Sequence, residues 1–153
     1  MKIFAALTFA AAAAAVGVSA PAFAQFEKAE DAIKYRQSAF FVMGQHFGRI
    51  GAMANDKAPF DAKAAQDNAV IVATLAHLPW VAFGPGTDKG AKTKAKPTIW
   101  TEQVKFQELA DDMKKATTEL AAAARTNNLD NLKGAFGDAA KSCKACHDNY
   151  RAK

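Results

Sequence analysis

The sequence predicts an all-α protein that folds as an antiparallel up-down-up-down four-helix bundle. Apolar residues recur with the period of a helix in four long segments, and no segment shows the convincing apolar-polar alternation of a half-buried strand. Most connections between these segments are short, so consecutive helices are expected to run antiparallel to each other.

Residues 1–24 have the organisation of a secretory signal peptide. Lys2 supplies a basic start, residues 5–18 form an apolar stretch, and residues 22–24 read Ala-Phe-Ala, a small-residue cleavage site. The apolar stretch is shorter than the ~20 residues that usually span a bilayer, so cleavage is expected; an uncleaved anchor is the alternative. Cleavage predicts a single mature domain, residues 25–153, in the periplasm.

The net charge does not favour a nucleic-acid partner. The chain has 20 basic and 15 acidic residues, and cleavage removes one lysine, so the net charge falls from +5 to +4. This excess is small compared with the concentrated positive charge of nucleic-acid-binding domains. No stretch beyond the signal approaches the length and hydrophobicity of a membrane-spanning helix.

The first helix is predicted over residues 28–53. Phe41, Val42 and Met43 broaden its apolar surface beyond one face, which predicts either a deeply buried helix or a homodimer interface. His46 falls one residue away from the inner face and is expected at the surface or at an interface. The inner face consists of Ile33, Gln37, Phe40, Gly44, Phe47 and Gly51.

The second helix is predicted over residues 61–78, with Asp61 as its N-cap and Pro79 ending it. A long irregular segment follows, residues 80–97, and Gly84-Pro85-Gly86 forms a tight turn within it. This segment carries four lysines with no acidic residue between them, namely Lys89, Lys92, Lys94 and Lys96.

The third helix begins near residues 98–101 and runs to about residue 125. A turn at residues 126–128 leads to the fourth helix, for which Asn128 is a suitable N-cap. The inner side of the fourth helix carries Leu129, Leu132, Phe136, Ala139, Cys143 and Cys146.

The fourth helix contains Cys143-Lys144-Ala145-Cys146-His147, the pattern of c-type haem attachment. Residues three apart lie on one face of a helix, so both thiols can reach one edge of a haem, and His147 can ligate the iron. The alternatives are a chance pattern and a redox dithiol. A dithiol has little support, because no βαβ unit surrounds the motif and His147 would have no role. The motif predicts one covalent haem c per chain.

Other segments, taken together with this motif, resemble a known family. They are Lys34-Tyr35-Arg36-Gln37-Ser38, Leu78-Pro79-Trp80, Phe83-Gly84-Pro85-Gly86, Ala135-Phe136-Gly137-Asp138 and, after the motif, Asp148 and Arg151. Over essentially the whole mature chain the sequence resembles cytochrome c′, the class II c-type cytochromes, which are four-helix bundles.

The resemblance implies a pentacoordinate, high-spin haem with His147 as the sole protein ligand of the iron. Phe40 matches the apolar residue on the opposite, distal side of the haem, and Phe83 matches a second aromatic residue there. The alternative is a six-coordinate, low-spin electron carrier of the same fold, in which Met43 is the sixth ligand.

The resemblance also assigns polar residues to the site. Arg36 and Gln37 match residues beside the haem and its propionates, and Arg151 matches the basic residue that flanks the proximal histidine. A buried guanidinium needs an anion, which agrees with a propionate next to Arg36. The lysines of residues 89–96 are interpreted either as a solvated flexible loop or as contacts to a propionate or to an acidic redox partner.

The family resemblance implies binding of nitric oxide and carbon monoxide, general exclusion of dioxygen, and a role in nitric oxide tolerance or electron transfer. A phenylalanine such as Phe40 offers no hydrogen bond to bound dioxygen, which agrees with this ligand selectivity. An enzyme is not expected, because no distal acid-base residue is evident.

Overall fold

A computed structural model describes residues 25–153, and the predicted signal peptide with its cleavage site lies outside the described residues. The predicted all-α four-helix bundle is confirmed. Within the described residues none of the helices is long and apolar enough to cross a membrane. The helices are α1 Ala29–Ala54, α2 Ala62–Leu75, the single turn α3 Thr98–Thr101, α4 Gln103–Ala124 and α5 Leu129–Tyr150.

Both predicted N-caps are confirmed. The Asp61 side chain accepts a hydrogen bond from the Ala64 amide at 2.9 Å, and Asn128 accepts one from the Asn131 amide at 3.0 Å. Each bond satisfies an amide that the first turn of a helix leaves without a partner, which stabilises a helix by about 1 kcal/mol. These short polar side chains therefore fix where α2 and α5 begin.

The end of α2 differs from the prediction. The helix ends at Leu75 instead of residue 78, because the amides of His77 and Leu78 bond to carbonyls three residues back and tighten the chain. Pro79–Phe83 then form a 3₁₀ turn, so the segment predicted as irregular begins with regular structure.

The third predicted helix is also divided. Glu102 leaves the helical region of the backbone, with φ −119° and ψ 40°, and separates α3 from α4. Its carboxylate accepts a hydrogen bond from the Tyr150 hydroxyl at 2.9 Å. The break therefore coincides with a contact to the end of α5, far away in sequence.

The bundle packs α1 on α2, α2 on α4 and α4 on α5. Its main core fills the middle and the end formed by the α1–α2 and α4–α5 turns. A second, aromatic core lies at the other end and contains Phe83, Ile99, Phe106 and Tyr150. The largest fully buried apolar side chains of the main core are Ile50, Val72, Leu120 and Leu132.

Gly51 allows α1 to approach α5 closely. A Cβ atom at this position would lie 2.8 Å from Cζ of Phe136, and that ring stacks on Phe47 with centroids 4.5 Å apart. The ring therefore cannot move away without disturbing a second aromatic side chain.

We expect Gly51→Ala to destabilise the haem-loaded protein by about 1–2 kcal/mol. Forcing volume into a packed core lowers the free energy of unfolding by ~1–3 kcal/mol, and the better helix propensity of alanine offsets up to about 1 kcal/mol of this loss. Gly48→Ala is the matched control, since it lies in the same helix with nothing within 4 Å of the added Cβ. Denaturation followed by circular dichroism measures both, and equal stability of the two variants would contradict the prediction.

Candidate cofactor-binding site

A cavity of about 520 Å³ lies at the end of the bundle where the aromatic core is found. α1, α4, α5 and the segment from Pro79 to Pro97 contribute to its walls, which are mostly apolar. Its volume is in the usual range for ligand and cofactor sites. Nine residues predicted from the sequence line this one cavity, namely Arg36, Gln37, Phe40, Met43, Phe83, Cys143, Cys146, His147 and Arg151.

The three residues of the haem motif lie on the last two turns of α5. Both cysteines are free and half-buried. Burial raises the pKa of the Cys143 thiol, and it raises the pKa of Cys146 to about 11. Burial, followed by the positive charge of Arg151, lowers the pKa of His147. At neutral pH the imidazole is therefore neutral, the form that ligates a metal ion.

These observations fit a haem. Two thiols and an imidazole open into the same cavity, the cavity is large, and its remaining walls are mainly aromatic and aliphatic. When bound, a haem supplies an iron centre that takes axial ligands and exchanges an electron. Cys143 and Cys146 would hold it covalently, and His147 would ligate its iron.

Arg36 is buried in the cavity wall, with only 2% of its surface exposed. Its guanidinium donates to the carbonyl oxygens of Ala82, at 2.7 Å, and Thr87, at 3.0 Å, and to the hydroxyl of Thr93 at 3.4 Å. It also lies 4.5 Å from the centre of the Phe83 ring. Its contacts in the described chain are thus neutral groups, and burial lowers the pKa of Arg36 to about 10 while Asp88 opposes that shift.

The lysine-bearing segment is attached to the bundle at several points. Gln37 donates to the carbonyl of Lys92 at 2.9 Å, and the Ala152 amide donates to the carbonyl of Lys94 at 2.8 Å. The amide of Lys96 donates to the carbonyl of Tyr150 at 2.9 Å. Residues 92–96 therefore form a fixed edge of the cavity rather than the flexible loop that was one interpretation of the sequence.

Aromatic rings fill the wall behind Phe40. Its ring meets Trp80 edge-on, with centroids 5.8 Å apart, and lies 6.4 Å from Phe83. Trp80 is held by a 2.6 Å hydrogen bond from its indole to the carbonyl of Ala76, and it contacts Phe106 at 5.6 Å between centroids. The Phe40 ring thus faces the cavity with a rigid support.

Arg151 reaches the cavity from just beyond the end of α5. α5 ends at Tyr150, and Arg151 is extended, so it does not continue the helical face of His147. Its amide bonds to the carbonyl of His147 at 3.1 Å, and it forms an isolated antiparallel bridge with Ala95. This bridge places the Arg151 side chain at the edge of the cavity.

Sequence reasoning did not assign Tyr150 and Phe106 to the site. Tyr150 is 3% exposed, lines the cavity and packs edge-on against Phe106. Burial, with the hydrogen bond to Glu102, raises the pKa of Tyr150 to about 12. The spacing of three residues from His147 was a usable signal for Tyr150, because such residues share a helical face. His46 does not line the cavity; it is half-buried and bonds to Asn68 at 2.8 Å.

The segment that matches known proteins includes every residue of this site. A family model described as Cytochrome C′ matches residues 31–151. Cytochrome c′ of Rubrivivax gelatinosus is 50% identical over 129 residues, which are 84% of this chain and 100% of that protein. A crystal structure of that cytochrome c′ has a TM-score of 0.81 and covers 83% of this chain and 99% of its own. The nitric oxide complex of a variant of cytochrome c prime from Alcaligenes xylosoxidans has a TM-score of 0.79 and 46% identity, over 84% of this chain and 99% of that one.

Proposed function

Because the chain belongs to the cytochrome c′ family, whose members carry covalently bound haem c, we propose that it is a periplasmic haem protein with pentacoordinate, high-spin iron. Its function is to bind nitric oxide and carbon monoxide, to transfer electrons, or both. The observation that carries the proposal is the single cavity that both motif cysteines and His147 share with Phe40. In it Cys143 and Cys146 hold the haem, and His147 is the axial ligand.

Phe40 and Met43 both line the cavity, but their surroundings favour an open sixth position. Phe40 projects from α1 in front of Trp80 and Phe83. Met43 is only 7% exposed and belongs to the main hydrophobic core. A thioether engaged in core packing must leave that packing to ligate iron, so Phe40 is the better candidate for the distal residue.

We therefore expect high-spin optical spectra in both oxidation states, and we expect Met43→Ala to leave them nearly unchanged. The physical reason is that the proposed site has one axial side chain, His147. Absorption spectra of the purified ferric and ferrous protein provide the test, with His147→Ala as the variant that should alter them. A low-spin spectrum with a sulfur-to-iron band that disappears in Met43→Ala would establish the electron-carrier alternative.

Three neutral polar side chains of the cavity support selectivity for nitric oxide and carbon monoxide over dioxygen. Gln37 donates to the carbonyl of Lys92, Thr117 to the carbonyl of Met113, and Tyr150 to Glu102. These donors are already engaged, and bound dioxygen depends on such a donor more than the other two gases do. The nitric oxide complex of the Alcaligenes relative agrees with a gas-binding role. None of these engaged groups is poised as a distal acid or base, so we propose no enzymatic reaction.

Arg36, Gln37, Phe83 and Arg151 complete the proposed site. Arg36 brings a buried positive charge to the wall, where a haem propionate is the natural counter-ion. Gln37 fixes the edge of the cavity, and Phe83 supports both Phe40 and the Arg36 guanidinium. Arg151 places a second positive charge beside His147.

The exposed apolar surface of α1 supports a homodimer. Phe41 and Val42 project outward, with 66% and 42% of their surfaces exposed. We expect sedimentation to give about twice the mass of the haem-loaded chain, and Val42→Glu to shift it to monomer. Val104→Glu is the control, because Val104 is 77% exposed on α4. A monomer for the unmodified protein at all accessible concentrations would refute the dimer.

A further inference from the structure

The edge of the cavity carries an unusual concentration of positive charge. Five basic residues lie together on two short stretches of backbone, and we call this set the lysine rim. Within residues 25–153 none of them forms an ion pair with an acidic side chain. The lysine rim consists of Lys92, Lys94, Lys96, Arg151 and Lys153.

The backbone of the lysine rim is fixed. Hydrogen bonds from Gln37, Ala152 and the amide of Lys96 hold residues 92–96 against α1 and the end of α5, and Ala95 bridges to Arg151. In such an extended stretch alternate side chains point to opposite sides. Lys92 and Lys94 are accordingly exposed, while Thr93 and Ala95 are half-buried.

Residues 92–96 and 149–153, which form the lysine rim, contain no acidic side chain. Asp148, on the last turn of α5, is paired with Lys144. The Lys96 ammonium group donates to the carbonyls of Asp148 and Asn149 at 3.2 and 2.9 Å, at the end of α5, and has no carboxylate partner in the described residues. Lys94 and Arg151 also line the cavity itself. The positive surface is therefore directly beside the proposed haem.

We propose that the lysine rim is the docking surface for an acidic electron-carrier protein. This inference rests on the proposed function, because it requires a redox-active haem in the cavity. A preformed positive surface attracts a negatively charged partner. Such electrostatic steering accelerates association by roughly ten- to a thousandfold at low salt. A partner bound there has its own redox centre close to the cavity mouth, and one electron passes between the two centres without any bond being made or broken.

The composition of the lysine rim favours a protein over a lipid surface. Peripheral membrane binding usually combines basic residues with apolar side chains that enter the interface. No exposed large apolar side chain lies within residues 92–96 or 149–153, the two stretches that form the lysine rim. Phe41, which is exposed at the mouth of the cavity, belongs to the α1 surface proposed for the homodimer. A small, charged and fixed surface instead suits the brief encounters of electron-transfer proteins, whose interfaces are at the small end of the range.

The test uses the haem-loaded protein and a reduced, acidic plant-type [2Fe–2S] ferredoxin as the probe. Stopped-flow absorbance measures the second-order rate constant for reduction of the ferric haem as ionic strength rises. We expect Lys92→Glu with Lys153→Glu, two exposed rim residues that do not line the cavity, to lower this rate constant about tenfold or more at low salt. The difference should vanish near 1 M salt, where the Debye length is about 3 Å. Both substitutions spare the backbone bonds that hold the segment.

The matched control is Lys57→Glu with Arg125→Glu, which changes the net charge equally. Both residues are exposed at the opposite end of the bundle, next to the α1–α2 and α4–α5 turns, and neither side chain forms an ion pair in the described residues. This control should lower the rate constant for reduction by ferredoxin much less than the rim variant does. Equal losses in the two variants, or no dependence on salt, would refute the docking surface.

A neutral hydroquinone as reductant separates this inference from the proposed function. It should reduce the haem of the unmodified protein and of the rim variant at the same rate, because a neutral molecule is not steered. A protein without reducible haem would refute the proposed function itself. Sedimentation with vesicles of phosphatidylserine and phosphatidylcholine measures binding to a lipid surface. The proposal would be overturned if the rim variant lost vesicle binding but kept the ferredoxin rate constant of the unmodified protein. The lysine rim would then be a lipid-binding surface.

Discussion

Replacing Cys143 and Cys146 together by alanine is expected to abolish covalent haem attachment completely. The two thiols are the only cysteines of the chain and both line the cavity, so no other side chain can form a thioether. In the unmodified protein, the haem absorbance should remain with the polypeptide after denaturation and extraction with acid-acetone. In the double variant it should pass entirely into the solvent.

The same variant should also be much less stable. Without its haem, the mostly apolar wall of a cavity of about 520 Å³ is left exposed to water, which is unfavourable. We therefore expect the cavity end of the bundle to lose ordered helix when no haem is held there, visible as weaker circular dichroism.

Lys144→Ala is the control for the attachment experiment. Lys144 lies between the two cysteines, but its side chain is exposed and only pairs with Asp148. Such an exposed pair contributes little to stability, ~0–1 kcal/mol, so this variant should keep both its haem and its fold. Haem that is extractable from the unmodified protein, or retained by the double variant, would contradict covalent attachment through these cysteines.

Replacing Phe40 by alanine is expected to raise the affinity for carbon monoxide by roughly ten- to a hundredfold. The ring faces the cavity, and Trp80 and Phe83 limit its movement, so making room for a ligand strains the packed wall. Overpacking of this kind costs ~1–3 kcal/mol, and each 1.4 kcal/mol changes affinity about tenfold. Removal of the ring removes that strain, mainly by accelerating association.

Flash photolysis of the carbon monoxide complex measures the association rate in both proteins. Phe41→Ala is the control, since Phe41 adjoins Phe40 in sequence but is 66% exposed at the mouth of the cavity. Its substitution should change the rate far less. Equal association rates for Phe40→Ala and the unmodified protein would show that Phe40 does not obstruct the iron, and the proposed distal side of α1 would be abandoned.

Local signals in the sequence predicted the bundle and much of the cavity. Asp61 and Asn128 are capping residues whose effect depends only on the next three residues, so the starts of α2 and α5 were predictable. The haem motif is equally local, because Cys143, Cys146 and His147 belong to two turns of one helix. The other predicted site residues came from the family resemblance, and they line the same cavity.

Features that depend on contacts between distant residues were not predictable in this way. The break at Glu102 coincides with its bond to Tyr150, 48 residues later. Arg36 finds carbonyl acceptors at Ala82 and Thr87, which are separated from it by 46 and 51 residues. The fixed backbone of residues 92–96 likewise depends on partners in α1 and at the end of α5. A pattern of lysines and small residues without those partners resembles any solvated loop.

The bridge between Ala95 and Arg151 has a consequence for the order of events as the protein matures. The last residues of the chain carry the haem motif and also hold the edge of the cavity, through Tyr150, Arg151 and Ala152. Neither the wall that contains His147 nor the opposite edge at residues 92–96 can be complete before the end of α5 has docked. The pocket therefore cannot close before the end of α5 docks, so a haem can enter while the two cysteines are still accessible.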